Sequence, residues 1–210
     1  MIDTEIRKAY IRMNVHSAGC FMDCSEKRIA IIQATLELVS ENGFHGAPMA
    51  MVAERAGVAA GTIYRYFESK DALIMGTYAD LEGRLLKKVK EDFPEQGTVR
   101  EKFHHLARVL VTQWISSPVQ FRFLEQFHNS PYGAARRREK MLDGNKDICA
   151  GIFAEGLEQK LIKELPLPML FALFFGPLVY VSRDHILGFF TLDGALLNQA
   201  IDSCWSAVKR

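Results

Sequence analysis

Apolar residues recur along this chain at the spacing of α-helices. The first clear helical face carries apolar residues at steps of three, four and three, namely Ile29, Ile32, Leu36 and Val39. Alternating runs of β-branched residues are missing, and no Asn-Gly or Asp-Gly turn lies between such runs. The pattern therefore predicts an all-α protein.

Residues that cap, begin or end helices divide the apolar pattern into about nine predicted helices. Ser25 is a good N-cap for the first helix, and Asn42-Gly43 supplies the usual end. Pro48 suits the first turn of the second helix, because its missing N–H group costs nothing there. The helices are predicted at residues 25–42, 48–56, 60–67, 69–91, 98–116, 118–128, 133–162, 167–187 and 193–208.

The same boundaries predict three parts of the chain. Residues 1–24 form a predicted N-terminal arm with weak periodicity. Its basic residues, Arg7, Lys8 and Arg12, could touch DNA, although a frayed tail is the more common structure for such a segment. Residues 25–72 form a predicted helix-turn-helix domain, and residues 73–210 form a predicted larger helical domain.

Three residues of the second and third predicted helices have the arrangement that a tight turn between crossing helices needs. Ala53 is small where two backbones approach each other, and Gly57 tolerates the positive φ of the turn. Ile63 is the apolar residue of the third helix that packs back on the second. This arrangement predicts a helix-turn-helix.

The packing of Ile63 leaves the opposite face of the third predicted helix for DNA. Small Ala60 and Gly61 would let the backbone approach base edges in the major groove. Arg65 could reach a guanine or a phosphate, and hydroxyl and ammonium groups suit phosphate oxygens. The predicted DNA-binding residues are Ala60, Gly61, Thr62, Tyr64, Arg65, Tyr66 and Lys70.

The segment 28–73, and above all its run AERAGVAAGTIYRYFESKDAL at 53–73, resembles the TetR family of bacterial repressors. The likeness covers 46 of 210 residues, with the turn, the helix after it and the Tyr-Phe-Glu-Ser-Lys element in register. It implies phosphate contacts from the hydroxyl and ammonium side chains just named, and approach to bases at the two small residues. The family usually has Ser or Thr where this chain has Ala47-Pro48 and Ala59, so two capping or phosphate-binding hydroxyls are expected to be missing.

Composition excludes a protein that binds nucleic acid through a global positive charge. The chain has 26 Lys and Arg against 25 Asp and Glu, a net charge of +1, and residues 25–75 hold five basic and six acidic side chains. DNA contacts must therefore come from a few placed groups, backbone amides and helix dipoles. With 49% hydrophobic and 24% charged residues, the composition is that of an ordinary soluble protein.

Cysteine spacing and apolar runs bear on metals and on location. Cys20-x-x-x-Cys24 is not a zinc-finger spacing and no His or Cys pair follows it, so no metal and no cofactor are predicted. Reduced thiols and an N-terminus without a long apolar run favour a cytoplasmic protein without a signal peptide. The uncharged 18-residue run at 165–182 has the minimum length of a membrane span, but three prolines interrupt it. A buried helix that also meets a partner helix is therefore favoured over a membrane span.

The larger part of the chain is rich in aromatic residues, and a helical bundle of this composition can enclose an apolar cavity. Each such residue, taken singly, is more often core than pocket. The resemblance implies that this part binds a small effector, which we expect to be largely apolar. The predicted effector-binding residues are Tyr78, Leu110, Trp114, Phe127, Cys149, Phe153 and Phe175.

The last two predicted helices have the pattern of a dimer surface. The first is apolar nearly all round, and the second carries the apolar stripe Leu196, Leu197, Ile201, Cys204, Trp205 and Val208. The resemblance implies a homodimer through a four-helix bundle of these helices. Its two-fold axis would present two recognition helices to a palindromic operator in double-stranded DNA. The sequence thus predicts a ligand-responsive repressor.

Two other classes of protein are alternatives to a regulator. A helical enzyme would need a catalytic motif, and the chain has no His-Glu-x-x-His, no phosphate-binding glycine loop and no plausible Ser/His/Asp set. The alternative that stays open is a helical small-molecule-binding protein whose helix-turn-helix no longer binds DNA. Such a protein would bind its ligand tightly without any salt-dependent affinity for DNA.

Overall fold

The computed structural model describes residues 24–142 and 147–210, so the predicted arm at 1–24 lies outside the described residues except for Cys24. The described part forms helices and turns, with no strand beyond one isolated bridge between Ile162 and Lys209. The predicted all-α class is confirmed. The helices are α1 (Cys24–Asn42), α2 (Met49–Arg55), α3 (Ala60–Ile63), α4 (Lys70–Lys90), α5 (Val99–Ser116), α6 (Pro118–His128), α7 (Pro131–Leu142), α8 (Ile148–Glu158), α9 (Leu167–Ile186) and α10 (Gly194–Val208).

Most helix boundaries match the sequence prediction because local caps set them. Gly43 follows α1 with a φ of +70°, as a helix-ending glycine does. Ser69 accepts a hydrogen bond from the backbone amide of Ala72 at 3.1 Å and so caps α4. Thr98 and Glu101 form a reciprocal capping box at the start of α5.

Two predicted helices are corrected. The single helix predicted at 133–162 is wrong, because α7 ends at Leu142 and a new helix starts where Asp147 accepts a hydrogen bond from Cys149 N at 2.8 Å. The third helix, predicted to run to residue 67, ends at Ile63. Tighter turns continue the chain there, with Tyr66 N donating to the Ile63 carbonyl at 3.1 Å.

Two hydrophobic clusters hold the described part together. The N-terminal core packs α1 to α4 against two rings of α6, Phe123 and Phe127. The C-terminal core packs α5, α8, α9 and α10 against each other and against Phe121 of α6. Leu124 of α6 packs against both clusters. Helix α6 therefore lies between the two cores and contributes side chains to each.

The buried face of α1 is wider than the sequence pattern predicts. Ile32 and Leu36 are buried as expected, but Ile29 is 63% exposed, which corrects that prediction. Ile31 and Leu38 are buried in addition. The physical reason is that α2 and α4 contact α1 together with α6, so the helix is covered on more than one side.

The apolar stripe of α10 faces inward, which corrects its predicted place on a dimer surface. Only Leu196 of the stripe is exposed, and Trp205 packs edge-on against Phe103 with 5.2 Å between ring centroids. The stripe therefore fastens α10 to α5 and α9 within the chain. Its members buried in the C-terminal core are Leu197, Ile201, Cys204 and Val208.

Helix α9 has one covered and one open face. Leu170, Phe174 and Leu178 are fully buried, whereas Met169 is 51% and Tyr180 is 63% exposed. By length and composition alone α9 is apolar enough to cross a membrane, and 22% of its apolar window is buried inside the chain. Exposed apolar side chains along one face of α9 are typical of a surface that another element covers.

Candidate DNA interface and effector region

The turn between α2 and α3 has the geometry that the sequence predicts. Ala53 is 1% exposed, and Gly57 has a φ of +67°. A Cβ atom added to Gly57 would meet no atom within 4 Å, so the backbone conformation and not the available space requires glycine. The amide of Val58 donates to the carbonyl of Ala53 at 2.9 Å and closes the turn.

Buried Ile63 decides which side of α3 turns outward. Its side chain is fully buried in the N-terminal core together with Val52 and Phe67. The side of α3 opposite this contact is left open to solvent, as predicted. The exposed residues of this open face are Ala60, Gly61, Tyr64 and Arg65.

The other three predicted DNA-binding residues are half-buried. Thr62 lies within α3, and Lys70 is the first residue of α4. Tyr66 packs its ring against the N-terminal core, so it has a packing role that the sequence did not indicate. All seven residues lie on one continuous segment from the start of α3 to the start of α4.

Ion pairs hold part of the acidic charge of residues 25–75 on the α1–α2 surface. Arg55 lies 3.4 Å from both Glu37 and Glu41, and its hydrogen bonds to Glu41 and then Glu37 raise the pKa of the Arg55 guanidinium. Arg55 therefore offsets one of the two carboxylate charges on the α1–α2 surface. Arg65 and Lys70 form no ion pair with another described residue, which leaves both cations available to a phosphate.

Both helices of the turn motif begin without a side-chain cap. Pro48 and Ala59 occupy the N-cap positions of α2 and α3, and neither provides a side-chain hydrogen bond. Ala47 is 2% exposed, so a small residue is buried where the resemblance implies a hydroxyl. A missing cap costs about 1 kcal/mol, and the buried contacts of Ile63 offset a cost of this size.

The predicted effector-binding residues divide between the two cores. Tyr78 and Phe127 stack face to face in the N-terminal core, with 4.0 Å between ring centroids and 6° between ring planes. The seven residues therefore do not form one continuous set inside a single core. Those that lie in or against the C-terminal core are Leu110, Trp114, Cys149, Phe153 and Phe175.

The two thiols of the C-terminal core are free and buried. Burial raises the pKa of Cys204 to about 11, so this thiol stays protonated at neutral pH and is a poor nucleophile. Cys149 lies in the first turn of α8 and is 4% exposed. Among the residues that the structure describes, no group of three or more His, Cys, Asp or Glu side chains could hold a metal ion.

Helix α6 makes contacts with the helix-turn-helix domain that the sequence did not predict. Phe123 lies edge-on to Phe44, with 6.2 Å between ring centroids. The side-chain amide of Gln126 donates to the carbonyl of Val39 at 2.9 Å, across 87 positions of sequence. No periodicity or motif marks these residues, because each pair comes together only through the tertiary fold.

Two polar contacts fasten α7 to α4. The hydroxyl of Tyr132 donates to Asp71 at 2.6 Å, and Arg136 lies 3.1 Å from Glu82. Burial and the bond to Asp71 raise the pKa of Tyr132 to about 12. Arg136 is half-buried in this contact, whereas Arg137 and Arg138 are exposed.

Comparison with known proteins identifies relatives over nearly the whole described chain. The model for bacterial regulatory proteins of the tetR family matches residues 31–75, and the model for the tetracyclin repressor-like C-terminal domain matches residues 78–210. A fatty acid metabolism regulator protein of Bacillus subtilis is 29% identical over 152 residues, which are 66% of this chain and 72% of that protein. This relative is a regulator and not an enzyme.

Solved structures with the same fold include two that are each 24% identical to this chain. A TetR family regulator from Marinobacter aquaeolei has a TM-score of 0.77, with 88% of this chain and 96% of that chain covered. The regulator FadR from Bacillus subtilis, solved in complex with stearoyl-CoA, has a TM-score of 0.70, with 85% and 97% covered. At this level of identity the likeness shows the fold.

Proposed function

This chain belongs to the TetR family of bacterial regulatory proteins and is a ligand-responsive, DNA-binding transcription regulator, and we propose that it is a homodimeric repressor. A small, largely apolar effector would release it from a palindromic operator. The observation that carries this proposal is the exposed face of α3, which buried Ile63 turns outward. Since the operator of a bacterial gene lies in the cytoplasm, we propose a cytoplasmic location.

In this proposal α3 enters the major groove of the operator. Ala60 and Gly61 are exposed and small, so the backbone can approach base edges. Arg65, which has no ion-pair partner among the described residues, reaches a guanine edge or a phosphate. Hydroxyl and ammonium groups hold the phosphates on either side and are supplied by Thr62, Tyr64, Tyr66 and Lys70.

Binding to DNA from the gene's own upstream region tests this face. Arg65→Ala should weaken binding by about 1–3 kcal/mol if Arg65 contacts a base. If it contacts a phosphate, the slope of log affinity against log salt should fall by about one.

Arg138→Ala is the matched control, because Arg138 is an exposed arginine of α7 outside the turn motif. Equal affinities for wild type and Arg65→Ala would contradict the proposed face. Ligand binding without salt-dependent DNA binding would favour the small-molecule-binding protein instead.

The open surface of α9 and α10 supports a homodimer. Tyr180 is 63% exposed, Leu187 at the end of α9 is 55% exposed, and Leu196 of α10 is 42% exposed. We infer that a second protomer covers this apolar surface, and that no membrane does. A two-fold axis would place two α3 helices about 34–36 Å apart, at successive major grooves. Sedimentation of the full chain at twice the mass of the monomer is the expected result.

The relatives support a fatty acyl group as the effector. One is a fatty acid metabolism regulator, and another was solved with stearoyl-CoA. The C-terminal core is a cluster of hydrophobic side chains, and the buried hydroxyl of Ser182 on α9 donates to the Leu178 carbonyl of the same helix. Such surroundings suit an acyl chain. We propose that the acyl chain of the effector enters the core between α5, α8 and α9. Two further residues would lie on the path from this site toward α4. The residues involved would be Leu110, Trp114, Cys149, Phe153 and Phe175 in the core, and Tyr78 and Phe127 on the path.

Stearoyl-CoA and coenzyme A without an acyl chain are the probes that test the effector. Stearoyl-CoA should release the protein from DNA, and coenzyme A alone should not. Leu110→Trp places a larger side chain in the 5%-exposed site and should weaken stearoyl-CoA binding, whereas Leu86→Trp, at a 42%-exposed site, should not. Release by coenzyme A to the same extent would contradict an acyl effector.

A further inference from the structure

Helix α6 holds the helix-turn-helix domain through Gln126. The side-chain amide of Gln126 donates to the carbonyl of Val39 at 2.9 Å, close to the turn that ends α1. The same carbonyl accepts the amide of Gly43 at 2.9 Å, and the Gln126 oxygen lies 3.6 Å from where a Cβ of Gly43 would be. Gln126 therefore contacts the last turn of α1 and lies beside the glycine that terminates it.

The neighbouring residue, Glu125, makes the contact on another side of α6. Arg183 of α9 donates from Nε to Glu125 Oε1 at 2.8 Å, and a second guanidinium nitrogen donates to the same oxygen. Both side chains are half-buried, where a charge-assisted hydrogen bond is stronger than on the open surface. Consecutive residues of a helix point about 100° apart. One residue of α6 thus contacts the DNA-binding domain while the next contacts α9.

Arg183 is also in contact with the open face of α9. Its guanidinium lies over the ring of Tyr180, 4.7 Å from the ring centroid. Tyr180 is 63% exposed on the face that the proposed dimer would cover. Arg183 therefore connects the proposed interface between protomers to the helix that holds the end of α1.

We propose that Tyr180, Arg183, Glu125 and Gln126 form a polar relay that sets the angle of the DNA-binding domain relative to the dimer helices. This inference rests on the homodimer of the proposed function and deepens it. A dimer binds a palindromic site as a bivalent ligand, so its affinity depends on how well the two α3 helices are held at the half-site separation. The residues of the relay are positioning residues and need not touch DNA.

Distances between spin labels on the two protomers test the relay without knowledge of the operator. A nitroxide attached at Gln33→Cys reports the position of α1, since Gln33 is exposed on that helix. Cys20 and Cys24 are replaced by serine so that labelling is confined to the new thiol, because Cys149 and Cys204 are buried. Pulsed electron paramagnetic resonance on the full chain should give one narrow distance distribution.

Removal of either charge should broaden and shift this distribution. Glu125→Gln and Arg183→Gln are the test variants, and the exchanged pair Glu125→Arg with Arg183→Glu should restore the narrow distribution. Arg122→Gln is the matched control, because Arg122 is an exposed residue of the same helix outside the relay. The melting temperature and the mass of each variant report whether it folds and dimerises.

Binding to DNA should change in a way that a loss of folding would not produce. A loose relay lowers the effective concentration of the second α3 at its half-site. Glu125→Gln should therefore bind a palindromic site about tenfold more weakly than wild type, with unchanged affinity for a single half-site.

The outcomes separate the relay from the proposed function. A narrow, unshifted distribution in both Glu125→Gln and Arg183→Gln, with a clear wild-type distance, would overturn the relay and leave the repressor standing. Equal broadening in Arg122→Gln would also overturn the relay, since it would assign the effect to α6 as a whole. The lack of any distance between protomers in the wild type would contradict the dimer itself, and the relay with it.

Discussion

The N-terminal and C-terminal cores differ in what determines their structure. In the N-terminal core the turn motif depends on single residues, since Gly57 has a φ of +67° and Ala53 is 1% exposed. In the C-terminal core the structure depends on many side chains that pack together. An example is the edge-to-face pair of Phe103 and Phe174, with 4.7 Å between ring centroids. A surface that reads DNA needs one backbone geometry, whereas a region that admits a ligand can be built from exchangeable packing contacts.

Helix α6 is what prevents the two regions from being independent. Its rings Phe123 and Phe127 belong to the N-terminal core, while Phe121 belongs to the C-terminal core. A change in the packing around α6 must therefore reach the helix-turn-helix. Variants that act on one core, on one turn or on one contact between the cores separate their contributions.

Truncation of one ring in each core should have the largest effect. Phe127→Ala and Phe153→Ala each remove a fully buried ring, and each should lower the free energy of unfolding by about 3–5 kcal/mol. Urea unfolding followed by circular dichroism measures this loss.

Hydrogen exchange should then locate the loss in a different core for each ring. Amides of α1 to α4 should lose protection in Phe127→Ala, and amides of α8 to α10 in Phe153→Ala. Loss of protection over the whole chain in both variants would show that the two cores unfold as one unit, which would contradict this prediction.

Alanine at two nearby glycines should have a smaller effect that separates folding from DNA binding. Gly57→Ala places a Cβ at a φ of +67° and should cost about 1–2 kcal/mol of folding stability. Gly61→Ala meets no atom within 4 Å and removes a helical glycine, so its stability should stay equal or rise by up to about 1 kcal/mol.

The DNA affinities of the same two variants complete this test. Gly61→Ala should weaken DNA binding despite its stable fold, because the added methyl group lies on the face proposed to approach the bases. Thermal unfolding and gel-shift titration measure the two properties. Unchanged affinity in Gly61→Ala would remove that glycine from the proposed interface.

The smallest expected effect concerns the contact between Tyr132 of α7 and Asp71 of α4. Burial and this bond raise the pKa of Tyr132 to about 12, above its ordinary value of 10.0. The unfolded chain therefore loses this proton first as the pH rises, so the stabilisation is fully present below pH 10 and is lost between pH 10 and about 12.

Tyr132→Phe removes this titration together with the hydrogen bond. It should cost about 0.5–1.5 kcal/mol at neutral pH, and its stability should fall less steeply than that of the wild type between pH 10 and about 12. Unfolding titrations of both proteins at several alkaline pH values measure the difference, in which other titrating groups cancel. Parallel curves would contradict a structural role for the bond to Asp71.

Local signals account for what the sequence predicted well. The caps Ser69 and Thr98 act on residues three positions away, and the turn at Gly57 depends on one backbone angle. Such contacts are readable from sequence because both partners lie in the same short segment. The same reason explains why the exposed face of α3 follows from the position of Ile63.

Errors arose where a second element changes what a pattern means. The apolar pattern of α10 predicts a contact with a partner protomer, but Ile201 and Cys204 lie in the chain's own core. Helical periodicity shows that one face is apolar and not which neighbour covers it. The prediction of one helix at 133–162 is wrong for a related reason, because the N-cap at Asp147 begins a new helix although the apolar pattern continues.

The sequence by itself determined the all-α class, the helix-turn-helix with its exposed face and the resemblance to a family of regulators, because each depends on contacts between residues close in sequence. Three features follow only from the folded chain: α6 lies between two cores, the predicted effector residues divide between them, and Gln126 and Glu125 contact different helices. These contacts join residues 58 to 87 positions apart. A chain can close such distances in many ways, and packing of the whole molecule selects one of them.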